Sequence, residues 1–531
     1  MVTRGAARCD AVLPRAAIRI DPHCHILNLR DISAGPFVVR RFLNYDEAAA
    51  PGFDAIAGAI VGTVADVLKI TTKTTSFEHG NLRNKVEKSP GKPPFIDATD
   101  FCEFAENNQS GPFKANSDRQ LTGVFSRKYR NAARLSEIYP DFDIFMPSIV
   151  DLYDDRRSMT SIGQQIEFYS MLNLSTAGRF LPMVSFNPQR HYDLKMRFKL
   201  EEQNNYLAFV KDAVLNRGFI GVKVHPSSGF SPAENLTYGC SNTATQIVTE
   251  NDQELYDRFT AYDALMAELF DFCAAADVPI LTHGSDGISA NQRCMRGPRL
   301  TNGTKRPSGP MADPSNTSEW RYLYRKWGRI GGEDNPDELE WTNSPRIWDK
   351  ISRKHKVNVI ISHFANAMRE ERLNQRDIEV RISDWLVATA QAVNTNPYLY
   401  VDLSIITEFF AEDDNAPLEY RLREGHKKLF ARLIRRFPKL KRQMIYGSDW
   451  HMPATARVGA RYSELIEELL RYAKLSEREI DLVMGERAAT LFGLRRGGQN
   501  RKRLEEFYVT EGARRSGRPY DLRDIKWMRK L

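Results

Sequence analysis

The first residues that could do chemistry are two closely spaced histidines, His23 and His25, in the segment IDPHCHI. Alternate residues of a β-strand point to the same face, so both imidazoles would project together from one strand. Imidazole nitrogen is a common ligand of Zn²⁺ and similar cations, and two imidazoles can share one ion. An HxH pair is weak evidence alone, so the case depends on where other candidate ligands lie.

Four of the ten histidines stand at or just after the end of a short apolar run farther along the chain. This placement predicts that they converge on one face of a barrel. They are His225 in GVKVHP, His283 in PILTH, His363 in VIISH and His451 in GSDWHMP. The other four are expected to be surface residues in loops or helices, namely His79, His191, His355 and His426.

Two charged residues accompany these histidines. Asp449 ends the apolar run MIYGSDW, and a buried carboxylate is costly unless it is paired or bound to metal. It is predicted to be a metal ligand or general base, and the alternative is that it caps the next helix. Lys223 lies two residues before His225 and faces the same way. It could anchor a substrate carboxylate, bridge metals as a carbamate or form a buried salt bridge.

The elements that must position these residues are short apolar runs that alternate with segments of helical periodicity, a pattern typical of parallel strands joined by helices. Eight strands are predicted, at 17–20, 142–149, 179–186, 219–224, 278–282, 358–362, 399–403 and 443–446. Predicted helices include 255–275, one starting at Ser344 and Pro345, 462–472, and 477–494 after a capping box at Ser476. The predicted fold class is α/β, a (β/α)8 TIM barrel over residues 17–495 with a C-terminal helical extension.

Three connections are too long for simple turns, at 28–141, 227–250 and 285–342, after strands one, four and five. Each follows the carboxyl end of a strand, which is the active-site face of a barrel. We therefore expect these insertions to cover the site and to select the substrate. The apolar stretch 53–70 contains charges, which favours a helix packed over the site or at a subunit contact over a membrane span.

Composition limits the class of protein. The 531 residues carry a formal net charge of +8, but the segment from Arg495 to Leu531 holds twelve Lys or Arg against five Asp or Glu. The basic tail, 496–531, is thus predicted to be a solvated extension or an oligomer strap, and the alternative is an arm for an anionic partner. Without a long apolar run or a leader-like start, the chain is predicted to be cytoplasmic, with no membrane contact. The six cysteines lack CxxC spacing and are predicted to be free thiols.

The motifs, in order, resemble the amidohydrolase superfamily, in particular the amidohydrolase-related branch that includes aminocarboxymuconate-semialdehyde decarboxylase. The resemblance rests on IDPHCHI, GFIGVKVHP, VPILTHGS, NVIISHFAN, YVDLS and QMIYGSDWHMP, between residues 17 and 495. It implies that one divalent metal is held by His23, His25, His283 and Asp449. It also implies that His363 activates or orients the metal's water or polarises the substrate. The chain departs from the branch at Gly485–Ala488, and at His451 and Met452, which separate GSDW from proline.

The predicted function is hydrolysis of a C–N or C–O bond in an amide, cyclic amide or lactone of a small polar substrate, by a metal-activated water. The expected cofactor is one Zn²⁺, with Mn²⁺ or a two-metal site involving carbamylated Lys223 as alternatives. Weaker predictions place Lys223, His225, Arg190, Trp450 and His451 at the substrate. A homo-oligomer is expected, and nucleic acid is not. The alternatives are a metal-dependent, non-oxidative decarboxylase and a catalytically silent barrel that serves as a binding scaffold.

Overall fold

The computed structural model describes fifteen stretches of two or more residues up to residue 450 and two after it. These are 17–27, 75–108, 127–151, 160–196, 205–226, 230–235, 240–241, 252–283, 293–294, 345–365, 368–372, 378–382, 384–406, 409–413, 416–450, 458–459 and 461–531, together with residue 31. Within them, no helix has the length and apolarity that crossing a membrane requires.

Eight parallel strands form the centre of the fold. They are β1 (Ile20–Cys24), β2 (Ile144–Pro147), β3 (Met183–Phe186), β4 (Gly221–Val224), β5 (Ile280–His283), β6 (Val359–Ser362), β7 (Leu399–Asp402) and β8 (Met444–Ile445). Six of them make one sheet in the order β8-β7-β6-β5-β4-β3, and β1 pairs with β2. Isolated parallel bridges join Cys24 to Trp450 and Ser148 to Met183. The fold is therefore α/β with a mostly parallel sheet, whose strand residues are almost all buried.

Each predicted strand overlaps an observed one, but the first is displaced. It was expected to end at Ile20, whereas β1 begins there and runs through Pro22 to Cys24. Proline has no N–H to give to a neighbouring strand, and the register between β1 and β2 is irregular between Asp21 and Cys24. His23 consequently lies inside the strand, and His25 immediately follows it.

The described residues also form fifteen α-helices, and buried side chains of these helices join the hydrophobic core. The helices are α1 (Thr75–Glu87), α2 (Ala98–Asn107), α3 (Lys128–Ile138), α4 (Ile162–Ser175), α5 (Pro188–Met196), α6 (Tyr206–Asn216), α7 (Asp252–Ala275), α8 (Pro345–His355), α9 (Asp384–Thr395), α10 (Glu424–Arg436), α11 (Arg461–Tyr472), α12 (Glu477–Asp481), α13 (Arg487–Leu491), α14 (Gln499–Ser516) and α15 (Lys526–Lys530). Short antiparallel pairs form at Met368–Arg372 with Ile378–Ile382, and at Phe410–Asp413 with Ala416–Leu422.

The predicted helix 477–494 begins as expected, because Ser476 and Glu479 form a capping box. It is interrupted, however, by a π-helical turn at Leu482–Glu486 between α12 and α13. At this turn the backbone approaches the start of β1 so closely that a Cβ on Gly485 would lie 2.2 Å from the carbonyl oxygen of Ile18. Glycine at position 485 therefore allows the C-terminal helices to close against the first strand.

The predicted insertions are described only in part. The first contains α1, α2 and α3, whereas the stretch 53–70 lies outside the described residues. The second and third contribute strands Cys240–Ser241 and Arg293–Cys294, which pair with each other. Cys102, on α2, is disulfide-bonded, so the prediction that all six cysteines are free thiols is wrong for this residue, while Cys24 and Cys273 are free.

The basic tail differs from the predicted solvated extension, because it packs on the body of the protein. Tyr508 and Trp527 are buried, and the Tyr508 hydroxyl donates to Asn173 Oδ1 at 2.6 Å. Its cations meet carboxylates of distant segments, in the pairs Lys526–Asp97, Lys530–Asp143 and Arg515–Glu167. The composition of the tail thus reflects docking within the chain, which the clustering of charge alone did not indicate.

Candidate metal centre

His23 is held by a carboxylate from across the sheet. Its Nδ1 lies 2.9 Å from Oδ2 of Asp402, at the end of β7, and both side chains are fully buried. The other oxygen of Asp402 accepts the backbone N–H groups of His363 and Ser404, at 2.9 and 3.0 Å. A carboxylate acceptor at Nδ1 places the ring proton there and leaves Nε2 with a lone pair, as in metal-binding histidines.

A backbone carbonyl group orients the His25 ring so that, as in His23, the proton lies on Nδ1. His25 Nδ1 lies 3.2 Å from the carbonyl oxygen of Ser148, which follows β2, so Nδ1 is the donor and Nε2 carries the lone pair. His25 Nε2 is 3.1 Å from Asp449 Oδ1, and His23 Nε2 is 3.7 Å from the same oxygen. Three ligand atoms from the ends of β1 and β8 therefore face one another.

Asp449 adopts a left-handed backbone conformation, with φ at 46°. This region is uncommon for residues other than glycine, and such strain tends to occur at functional sites. Two contacts to β1 hold the turn. The N–H of Asp449 donates to the carbonyl oxygen of His23 at 2.7 Å. Asp21 accepts the N–H and hydroxyl of Ser448, at 3.0 and 2.5 Å, so β1 fixes both the histidines and the turn that carries Asp449.

The other predicted histidines continue the same cluster. The ring of His363 lies 5.2 Å from that of His23 and 4.9 Å from that of His283, and His283 lies 5.0 Å from His225, between ring centroids. Ligand atoms of His23, His283 and His363 lie within 4.8 Å of one another, as do those of His23, His25 and Asp449. The structure therefore brings His283 beside His23 and His363, in a different group from His25 and Asp449.

Lys223 lies among these groups without a carboxylate partner in the described part of the chain. Its Nζ is 3.2 Å from His23 Nε2 and 3.3 Å from the hydroxyl of Ser362. Burial lowers the pKa of Lys223 to about 8, although Asp449 and Asp402 oppose this shift. A buried salt bridge, one of its three predicted roles, is not formed there.

Burial sets the charge of the site. It lowers the pKa of His363 to about 4, and with the nearby Lys223 it lowers the pKa values of His225 and His283 well below the usual range. Burial alone would raise the pKa of Asp449, but His23 and His25 outweigh it and hold that pKa well below its usual range. These rings are therefore neutral at pH 7 beside an ionised carboxylate, which is the ligand form that a divalent cation needs.

The residues fit a divalent cation at His23, His25 and Asp449. Both imidazoles direct lone pairs toward Asp449 Oδ1, which is buried and makes no hydrogen bond. Lys223 Nζ, 3.2 Å from His23 Nε2, is a cationic group beside these atoms, and two imidazole nitrogens that face a buried carboxylate oxygen suit a divalent cation. His23 has only Nε2 to offer, because Asp402 engages Nδ1. The group of His23, His283 and His363 and the group of His23, His25 and Asp449 both need that one atom. This favours one ion over two.

Two residues of this site, Asp402 and Ser404, were absent from the predicted site residues. The motif YVDLS contains both, and the end of a seventh parallel strand was the signal that could have identified them. Ser404 Oγ lies 2.9 Å from His363 Nδ1 and 3.0 Å from His23 Nδ1. Asp402 and Ser404 therefore contact the Nδ1 side of the His23 ring, and Ser404 also contacts the Nδ1 side of the His363 ring.

The weaker predictions have mixed outcomes. Arg190 forms a bidentate salt bridge with buried Asp151, with distances of 2.6 to 3.1 Å between guanidinium nitrogens and carboxylate oxygens. Trp450 is buried, at 3% exposure, and bridges to Cys24, whereas His451 lies outside the described residues. Of the histidines expected at the surface, His191 and His426 are buried, which contradicts that expectation. His191 Nδ1 accepts the N–H of Leu207, so its polarity is satisfied by the backbone.

Comparison with known proteins assigns the chain to a family. The amidohydrolase family matches residues 207–494, more than half of the chain, from α6 to beyond α13. Among curated proteins, no sequence matches.

Solved structures resemble the chain at low identity. A probable 2-pyrone-4,6-dicarboxylic acid hydrolase from Acinetobacter baumannii is 10% identical, with a TM-score of 0.34 over 68% of this chain and 87% of its own. A candidate metal-dependent hydrolase from Lactobacillus casei ATCC 334 is 13% identical, with a TM-score of 0.37 over 90% and 95%. Amidohydrolase 2 from Bifidobacterium longum subsp. infantis is 12% identical, with a TM-score of 0.31 over 73% and 93%.

The protein is an enzyme of the metal-dependent hydrolase type. It belongs to the amidohydrolase family, which confirms the resemblance found in its motifs. The HxH pair lies outside the matched segment, whereas His225, His283, His363 and Asp449 lie inside it.

Proposed function

We propose that this enzyme hydrolyses a C–N or C–O bond in an amide, cyclic amide or lactone of a small polar substrate. The observation that carries the proposal is the convergence of His23 Nε2 and His25 Nε2 on Asp449 Oδ1, which makes no hydrogen bond. We further propose that the eight strands close into a (β/α)8 barrel. The parallel bridges from β1 to Trp450 and from Ser148 to β3 support that closure.

His23, His25 and Asp449 are the proposed ligands of one divalent cation, with His283 as the fourth. Two or three imidazoles and one carboxylate suit Zn²⁺, and Mn²⁺ is the alternative. When bound, such a cation makes water acidic enough to supply hydroxide at neutral pH and polarises a carbonyl group.

His363 and Asp449 are the groups that can move a proton. Burial keeps His363 neutral at pH 7, and the surrounding imidazoles keep Asp449 ionised, so each can accept a proton from water. Asp449 Oδ2 lies 3.9 Å from His363 Nδ1, so the two bases flank the same space. Either can then return the proton to the leaving nitrogen or oxygen. Lys223 and His225 are proposed to bind polar or anionic groups of the substrate.

The test compares the purified protein with a His23→Ala, His25→Ala double variant. We expect about one equivalent of metal in the wild type and a near-complete loss in the double variant, because a structural or catalytic site needs three to four protein ligands. Equal metal contents would contradict the proposal. A content near two would contradict the single-ion site. With an active substrate, ¹⁸O from solvent water should enter the product.

Decarboxylation is the second candidate function, and Lys223 favours it. A buried amine 3.2 Å from His23 Nε2 could hold a substrate carboxylate beside a cation that stabilises the developing carbanion. Release of CO₂ without ¹⁸O uptake would favour this reaction over hydrolysis. Ion pairs of the tail with the body weaken the third candidate, a scaffold that binds anions through that tail. The homo-oligomer and the cytoplasmic location stay predictions.

A further inference from the structure

Ser404 contacts the imidazole rings of both His23 and His363. Its Oγ lies 2.9 Å from Nδ1 of His363 and 3.0 Å from Nδ1 of His23, and its hydroxyl donates to Oδ1 of Asp402. Ser404 and Asp402 are fully buried, so water does not compete for these contacts.

The direction of each hydrogen bond follows from counting protons. A serine hydroxyl has one proton to donate, and an ionised carboxylate only accepts. Because Asp402 takes the Ser404 proton, Ser404 Oγ can only accept from His363. The proton of the neutral His363 ring must then be on Nδ1, and the lone pair on Nε2.

We propose that Ser404 is a positioning residue that fixes the tautomer of His363. With its lone pair on Nε2, His363 can accept a proton or bind a cation through that atom. It cannot use Nε2, while neutral, to donate a hydrogen bond to a substrate carbonyl. The assignment of His363 as a proton acceptor rests on the proposed function, whereas the position of its proton does not.

The two rings should respond differently to loss of the hydroxyl. His23 keeps Asp402 Oδ2 at 2.9 Å, and Asp402 keeps the backbone N–H groups of His363 and Ser404. His363 Nδ1 loses the acceptor at 2.9 Å, and Oδ2 of Asp449 lies 3.9 Å away, too far for a hydrogen bond. Ser404→Ala should therefore release the tautomer of His363 and spare that of His23, which serves as an internal control.

The experiment is solid-state NMR of the full-length, zinc-loaded protein labelled with ¹⁵N only in its ten histidines. The His363 signals are assigned by their disappearance in His363→Gln. We expect a protonated Nδ1 on His363 in the wild type, and loss of that single form in Ser404→Ala as the Nε2–H form appears. Ser404→Thr keeps a hydroxyl and should restore the wild-type spectrum. Ser362→Ala, which removes the neighbouring hydroxyl that contacts Lys223, should leave both rings unchanged.

A wild-type His363 protonated on Nε2 would overturn the proposal, and so would an unchanged His363 in Ser404→Ala. Equal changes of the His23 and His363 signals in Ser404→Ala would also contradict the proposal, because the substitution would then disturb the whole site and not the His363 tautomer alone. The NMR result needs no turnover. Absence of activity on any substrate would count against the proposed function alone.

Discussion

Nδ1 of His23 donates to Oδ2 of Asp402 across 2.9 Å, and neither side chain reaches solvent. The two residues lie 379 positions apart in the chain and meet only because β1 and β7 end on the same side of the sheet. Burial alone would raise the pKa of Asp402, but His23 outweighs it and holds that pKa well below its usual range. Asp402 is therefore anionic at pH 7, and it would make His23 a stronger ligand of the proposed cation.

Asp402→Asn should weaken Zn²⁺ binding by about 10-fold to 100-fold, the usual effect of removing a partner behind a metal-bound histidine. The amide is similar in shape but lacks the charge that fixes the ring proton on Nδ1. Competition with a chromophoric chelator measures the dissociation constant. Unchanged zinc affinity combined with a lower melting temperature of the metal-free protein would instead assign Asp402 to packing alone.

Arg190→Ala should destabilise the protein, although Arg190 was predicted to contact substrate. The guanidinium pairs with the fully buried carboxylate of Asp151, and removing one partner of a buried pair costs about 3–5 kcal/mol because the other charge remains. Urea unfolding measures the loss. Arg190→Ala, Asp151→Asn should recover part of it, since no buried charge is then left alone. Normal unfolding of Arg190→Ala with a raised KM would favour the substrate role.

Sequence patterns predicted the strands, and they also predicted that the proposed ligands follow strand ends, because both features depend on local order. His283, His363 and Asp449 follow apolar runs, and strand ends converge in any parallel sheet. The residues that orient the proposed ligands were harder to predict from the sequence. That Ser404 contacts two imidazoles depends on side-chain positions across three strands, which no spacing in the chain encodes. The tail was misjudged for a similar reason, since the carboxylates that pair with Lys526 and Lys530 lie 429 and 387 positions away.

Tyr508→Phe should lower the free energy of unfolding by about 1–3 kcal/mol, because Asn173 Oδ1 would be left buried without its donor. Urea unfolding measures this change, and zinc content should stay at the wild-type value because the contact is separate from the metal ligands. Val509→Ala, at an exposed neighbouring position of α14, is the control and should change stability by less than about 0.5 kcal/mol. Equal effects of the two variants would show that the tail is not docked through Tyr508.

Glu78 should make the free energy of unfolding depend on pH, and a substitution at this position should remove that dependence. It lies buried on α1 and accepts the backbone N–H of Lys128, whose Nζ is 2.7 Å from Asp31. Burial raises the pKa of Glu78 to about 8, although Lys128 opposes the shift. In the unfolded chain the pKa of glutamate is about 4.3. Between these values the folded protein holds a proton that the unfolded chain has released.

Stability should therefore fall as pH rises through this window, by at most about 1.4 kcal/mol per pH unit for this one group. Glu78→Gln imitates the protonated side chain and has no proton to lose. Relative to the wild type, it should gain stability steadily in urea unfolding from about pH 5 to about pH 8. Glu87→Gln, at the exposed end of the same helix, is the matched control. A difference between Glu78→Gln and the wild type that stays constant with pH would mean that Glu78 is ionised in the folded protein, held by Lys128 despite its burial.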